Sequence, residues 1–294
     1  MKTDGTGYET LLNFDDSTGY WPCGALISDG NFLYGTTSYG GFGNGTIFKI
    51  RKDGTGFLRI FCFGFSNMGR PLGSIVYDGT FFYGTTGYGG VNGNGTFYKI
   101  KPDGTGFATL HDFNNSDGNI PCGTPVLDNN YLYTMTGYGG INDDGVICRI
   151  KTDGTGFIKL LDFNFTNGQW PGGSLIIDNG VLYGMAMNGG SASNNGLIFK
   201  ININGTGYVK LLSFDGTNGS KPASSLCAVG SYLYGMTPNV TPGYGVVFKI
   251  KNDGSDFSKL YTFTAGIDGG HPGGYLVYDG TALYSTVESG WYGG

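Results

Sequence analysis

The stretch Leu33-Tyr34-Gly35-Thr36-Thr37-Ser38-Tyr39-Gly40-Gly41 decides the fold, because it comes back. Phe82-Tyr83-Gly84-Thr85-Thr86-Gly87-Tyr88-Gly89-Gly90 repeats it almost letter for letter. Looser copies centre on Tyr133, Tyr183, Tyr234 and Tyr284, so successive tyrosines stand 49, 50, 50, 51 and 50 residues apart. A self-similar period of this length marks a repeat architecture.

Working outward from Tyr34, each unit reads as four short strands. Residues 24–28 form an apolar run stopped by Asp29-Gly30, a pair that predicts a type I′ hairpin turn. Residues 32–37 are the second strand, 46–50 the third and 57–61 the fourth. The turn Lys52-Asp53-Gly54-Thr55-Gly56 joins the last two. Four antiparallel strands in about 50 residues, repeated in series, predict an all-β propeller blade. A β-solenoid is the competing architecture, but its coils are shorter and lack paired hairpin turns. No segment shows a helical period.

The units open at Pro22, Pro71, Pro121, Pro171, Pro222 and Pro272, which predicts one six-bladed β-propeller over residues 1–294. Lys2-Thr3-Asp4-Gly5-Thr6-Gly7-Tyr8 matches Lys151-Thr152-Asp153-Gly154-Thr155-Gly156-Phe157, so residues 8–14 read as a fourth strand. The expectation is a sixth blade shared between the termini, with residues 8–14 completing it and removing free sheet edges. Its third strand has no counterpart in the sequence, so that blade closes imperfectly or the chain is part of a longer array.

Composition narrows the function classes. Glycine accounts for 58 of 294 residues, yet the glycines recur at fixed positions beside tyrosines, which is turn chemistry and not low complexity. A net charge of −5 without a basic block argues against nucleic acid. No apolar run approaches the ~20 residues of a membrane span, and the N-terminus lacks the apolar stretch of a signal peptide. The five cysteines include no CxxC pair and read as buried free thiols.

The motifs Pro-x-Gly-x-Leu, Leu-Tyr-Gly-Thr-Thr, Gly95-Thr96-Phe97-Tyr98-Lys99-Ile100, Asp-Gly-Thr-Gly-Phe and Leu110-His111-Asp112-Phe113 resemble the GloVer tandem repeat over essentially the whole chain. A weaker likeness links it to NHL and Kelch repeats. The GloVer resemblance implies bacterial proteins of secreted or surface-anchored character, a propeller-like repeat and no agreed enzymatic activity, hence no catalytic residues to carry over.

The units also act as an internal alignment. The residue before each opening proline varies while its neighbours do not: Trp21, Arg70, Ile120, Trp170, Lys221 and His271. In a propeller these positions ring the channel mouth. Trp21, Arg70, Trp170, Lys221 and His271, with Tyr39, Tyr88 and Tyr138 of the Gly-Gly loops and Trp291, are the candidate ligand-binding residues, suited to a glycan or a protein. The bland alternative is that they only cover the ends of neighbouring blades. Self-association through the incomplete sixth blade is a further expectation.

Catalysis has little to stand on. His111 lies in a fourth strand, His271 has no evident partner, and no metal-ligand spacing occurs. Asp15-Asp16 and Asp143-Asp144 sit in Gly-rich loops as turn residues. Neither a cofactor nor a metal is expected. The seven Asn-x-Ser/Thr sequons mostly reuse the Asn-Gly turn.

Overall fold

Turn chemistry sets where each strand stops. Asn129-Asn130 and Asn179-Gly180 join strands whose last pairs are Asp128 with Tyr131 and Asp178 with Val181, so both are two-residue hairpin loops. Asn179 and Gly180 both have positive φ, as a type I′ turn needs. Asp29-Gly30 departs from the expected type I′ turn, since only the glycine has positive φ. The Asp29 carboxylate instead accepts from the backbone of Asn31 and Phe32 at 2.9 and 2.7 Å and from the Tyr34 hydroxyl at 2.8 Å. That side-chain cap holds a longer loop.

The computed structural model describes residue 4 and residues 6–41, 43–64, 68–266 and 268–287. Its chain forms two compact units, Met1–Asp112 and Phe113–Gly294. The first unit holds two sheets. One contains β1 (Tyr20–Ser28), β2 (Phe32–Tyr39), β3 (Thr46–Arg51) and β4 (Leu58–Cys62) in sequence order. In the other, β5 (Met68–Pro71) and β6 (Val76–Tyr77) both pair β7 (Phe82–Gly89), followed by β8 (Thr96–Ile100) and β9 (Ala108–Asp112).

The second unit repeats the pattern three times. Its sheets are β10 (Asn119–Asp128), β11 (Tyr131–Tyr138), β12 (Val146–Lys151) and β13 (Ile158–Asp162), then β14 (Gln169–Asp178), β15 (Val181–Asn188), β16 (Leu197–Asn202) and β17 (Val209–Ser213), then β18 (Cys227–Val229), β19 (Tyr232–Thr237), β20 (Val246–Lys251) and β21 (Ser258–Thr262). A hairpin of β22 (Val277–Tyr278) and β23 (Leu283–Tyr284) follows. These strands pair antiparallel, and among the described residues there is no helix.

First strands of neighbouring blades lie side by side: β10 with β14, β14 with β18, β18 with β22. They are stapled by one repeated hydrogen bond from a backbone N–H to the next blade's serine. Ala25 donates to Ser74 Oγ at 2.5 Å, Thr124 to Ser174 Oγ at 2.7 Å and Ser174 to Ser225 Oγ at 2.7 Å. The first strand also carries a register shift, between Cys122 and Val126 in one blade and Gly172 and Ile176 in the next. Gly173 turns there with φ +72°, and a Cβ on it would strike the Ser224 backbone.

The core is knitted by the phenylalanine that ends each fourth strand. Phe63 packs edge-on to Tyr98 of the next blade at 5.2 Å, Phe163 on Phe199 at 5.4 Å and Phe214 on Phe248 at 5.6 Å. All six rings are fully or almost fully buried, each worth about 1.5–3 kcal/mol of transfer free energy. Phe14 makes the same contact with Phe48 at 5.3 Å, so the sequence match of residues 8–14 to a fourth strand holds in packing.

In hydrogen bonding the expectation of a fourth strand at residues 8–14 is not met. Residues 8–14 carry no ladder. In every complete blade the fourth strand pairs the third, and β22–β23 has no third strand among the described residues. A second correction concerns the thiols. All five are free, but Cys62 on the outer strand β4 is exposed, while Cys148 alone is fully buried.

Candidate functional site

The varying residue before each proline is held in an unusual backbone state. Trp21, Arg70, Ile120, Trp170, Lys221 and His271 all have φ between 50° and 57°. Left-handed backbone costs a non-glycine residue about 1–2 kcal/mol, and a β-branched residue such as Ile120 is a clear outlier there. The neighbouring blade supplies the reason. Turned this way, the N–H leaves its own sheet and donates to the loop of the preceding blade: Arg70 to Asn44 at 2.7 Å, Trp170 to Asp144 at 3.0 Å, Lys221 to Asn195 at 2.8 Å and His271 to Tyr244 at 2.7 Å. Each bond satisfies a donor that would otherwise cost about 1–3 kcal/mol if buried unpaired. The following proline then packs on the glycine that opens the preceding blade's third strand, as Pro171 Cδ does on Gly145 and Pro272 Cδ on Gly245.

With the backbone spent on that staple, the Arg70, Trp170 and Lys221 side chains project over the preceding blade onto the residue five places after its Leu-Tyr tyrosine, and His271 onto the residue four places after. The Arg70 guanidinium carbon lies 4.2 Å from the Tyr39 ring centroid and 4.9 Å from that of Tyr88. Trp170 meets Tyr138 at 5.4 Å. Lys221 Nζ donates to Asn188 Oδ1 and, at 2.7 Å, to the Asn194 carbonyl, and partial burial lowers its pKa. His271 sets Nδ1 3.0 Å from the Pro238 carbonyl and its ring 5.6 Å from Tyr244. The side chain thus follows its platform: arginine or tryptophan over tyrosine, lysine over asparagine, histidine over proline.

In the first unit these pieces form one strip. Trp21 stands edge-on to Tyr39 at 5.0 Å, and Tyr20 stacks on the same ring at 5.6 Å with an interplanar angle of 6°. Arg70 and Tyr88 continue it. Trp21 is 65% exposed and Tyr88 39%, so apolar ring faces meet solvent. In the second unit Trp170, 42% exposed, and Tyr138 repeat the core of the arrangement. Trp291 lies outside the described residues. Sequence reasoning missed Tyr20, Asn188, Pro238 and Tyr244. The first three could have been found by counting register from the opening proline or the Leu-Tyr pair.

The carboxylate pairs are structural. Asp15 accepts from the hydroxyl of Ser17 and from the backbone and hydroxyl of Thr18, which brings its pKa down to about 2. Asp143 accepts from the Gly139 N–H at 2.8 Å, and Asp144 from Gln169 Nε2 at 2.7 Å. His111 sits in β9 opposite Phe97. Among the described residues no three His, Cys, Asp or Glu side chains cluster as metal ligands would.

Blades of this construction define an all-β repeat protein of propeller-like fold. The chain belongs to the Gloeobacter/Verrucomicrobia repeat family, whose model matches residues 1–136 and 71–294. It is similar in structure to a chain of a nidogen/laminin complex, at 19% identity and a TM-score of 0.56 over 83% of this chain and 80% of that one. TolB from Acinetobacter baumannii aligns at 16% identity and TM-score 0.54 over 89% of this chain and 59% of that one. The GH74 enzyme of Niastella koreensis aligns at 17% identity and TM-score 0.51 over 78% and 36%. At these identities the likeness concerns the fold. No curated protein matches the sequence.

Proposed function

We propose that this is a non-catalytic, secreted or cell-surface six-bladed propeller that binds a glycan at its pre-proline side chains. The observation that carries the reading is the strip Trp21–Tyr39–Arg70–Tyr88. It pairs exposed ring faces, on which a pyranose stacks, with a cation that supplies hydrogen bonds. Strained backbone at the same place in each unit supports it, because such strain clusters where side chains must be displayed. The bacterial surface setting rests on the family likeness.

A glycan array with the purified chain, run beside the Trp21→Ala, Trp170→Ala double variant, tests the reading. A hit that disappears in the variant is the expected result. A hit that the variant retains would move the site elsewhere.

A second reading, assembly, rests on the hairpin β22–β23. Beside it, Met236, Val247, Phe263, Leu276, Leu283 and Val287 line a cavity of about 370 Å³. A strand from another copy would fit that gap. Light scattering across a concentration series should then show a rising mass, and a monomer throughout would end this reading.

A further inference from the structure

We propose that the strip in the first unit selects an acidic glycan, with Arg70 receiving a sugar carboxylate; this rests on the glycan reading above. Three of the varying pre-proline residues are Arg, Lys or His and none is acidic, in a chain with 22 Asp and Glu against 17 Lys and Arg and 2 His. The three are not equivalent. Lys221 is spent on Asn188 and Asn194, and His271 sets Nδ1 against the Pro238 carbonyl. Among the described residues Arg70 is the one of the three whose side-chain donors meet no acceptor.

Its guanidinium lies against two rings, with its carbon 4.2 Å from the Tyr39 centroid and 4.9 Å from that of Tyr88. Ring contacts of that kind fix the plane of the fork and leave its in-plane N–H groups unused. Among the described residues no protein acceptor takes a hydrogen bond from the Arg70 side chain, no carboxylate lies within ion-pair distance, and its Nε is shielded from solvent without a partner. A planar fork held by two rings, with its terminal N–H groups unpaired among the described residues, matches a carboxylate, which accepts two parallel N–H bonds. The exposed rings of Trp21, Tyr20 and Tyr88 beside it suit a sugar ring better than an acidic peptide.

The test measures binding of the whole chain to polygalacturonate, alginate and hyaluronate, each beside its carboxyl-methyl-esterified form. Esterification keeps the ring and removes the charge. At least one acid form is expected to bind about tenfold or more tightly than its ester, the scale of one charge-assisted hydrogen bond. Arg70→Gln should erase that preference, and Arg70→Lys should restore only part of it, since lysine keeps the charge without the fork. An unchanged melting temperature for both variants separates a lost contact from a lost fold.

Equal binding of acid and ester, abolished by Trp21→Ala, would overturn the acidic preference and leave the glycan reading standing. Binding of poly-glutamate in place of all three glycans, lost in Arg70→Gln, would overturn the proposal in favour of an acidic protein partner. Silence from every probe would overturn the proposal, and a blank array as well would take the glycan reading with it.

Discussion

A tryptophan at φ 56° followed by proline is held against its own preference. Trp21 shows the cost in its simplest form, because most of its side chain is in solvent and little burial is at stake. Replacing it by alanine keeps the Cβ and so keeps the strain; replacing it by glycine removes both. Trp21→Gly is therefore expected to be more stable than Trp21→Ala by about 1 kcal/mol, read from urea midpoints. At an ordinary strand position the order reverses, since glycine there is the weaker residue. If alanine proves the more stable, the left-handed state is not a strain on the fold. A second residue argues in the same way. Tyr98 is completely buried, its hydroxyl meets no hydrogen-bond partner among the described residues, and burial pushes its pKa well up. Its counterparts Phe48, Phe199 and Phe248 carry no hydroxyl. Tyr98→Phe is expected to stabilise by about 1 kcal/mol, the saving of one unsatisfied buried group, and a loss of stability would reveal a partner for that hydroxyl.

Between strands two and three one pair sets the core of each blade. Gly35 faces Phe48, Gly84 faces Tyr98, Gly184 faces Phe199 and Gly235 faces Phe248. A Cβ on Gly184 would sit 2.6 Å from the Phe199 ring, so the aromatic needs glycine opposite it. The third blade breaks both halves of the rule at once, with Thr134 facing Cys148. Cys148→Phe alone should overpack the site and cost about 1–3 kcal/mol. Adding Thr134→Gly should recover most of it, and a double-mutant cycle with zero coupling would refute the compensation. The 50-residue period alone places Cys148 where other units have Phe48, Tyr98 or Phe248. Its tie to Thr134 does not follow from it, because that needs the strand register as well as the period. The same limit governs the candidate site. Strand number, order and turn positions followed from the 50-residue period. The left-handed backbone did not, since no residue type announces it: tryptophan, arginine, isoleucine, lysine and histidine all occupy it. Nor did the pairing of the Arg70, Trp170, Lys221 and His271 side chains with the preceding blade, which is set by packing between residues distant in sequence.

Across the whole molecule the third-to-fourth strand turns carry a repeated acid response. Asp53 accepts from the Thr55 hydroxyl at 2.7 Å and backbone at 2.9 Å, Asp103 from the Thr105 backbone and hydroxyl at 2.9 and 2.7 Å, and Asp253 from the Ser255 hydroxyl and backbone at 2.6 and 2.8 Å. These bonds lower all three carboxyl pKa values, and the bonds from Ser17 and Thr18 bring Asp15 to about 2. A carboxyl lowered in the folded state adds stability that is full above its unfolded value near 4 and is lost as pH falls through the folded value. The melting temperature should therefore hold level from pH 7 to about 5 and fall below about 4. The fourth blade provides its own control. Asn204 stands in the same turn and accepts the same two bonds from Thr206, at 3.0 and 2.7 Å, without a titrating group. Changing Asp53, Asp103 and Asp253 together to asparagine should leave the melting temperature at pH 7 nearly unchanged and make the drop between pH 4 and 2 shallower. An acid drop as steep as that of the parent chain would place the titration elsewhere, in the Asp15 loop or the Asp29 and Asp78 caps, whose carboxyls hydrogen bonding also holds low.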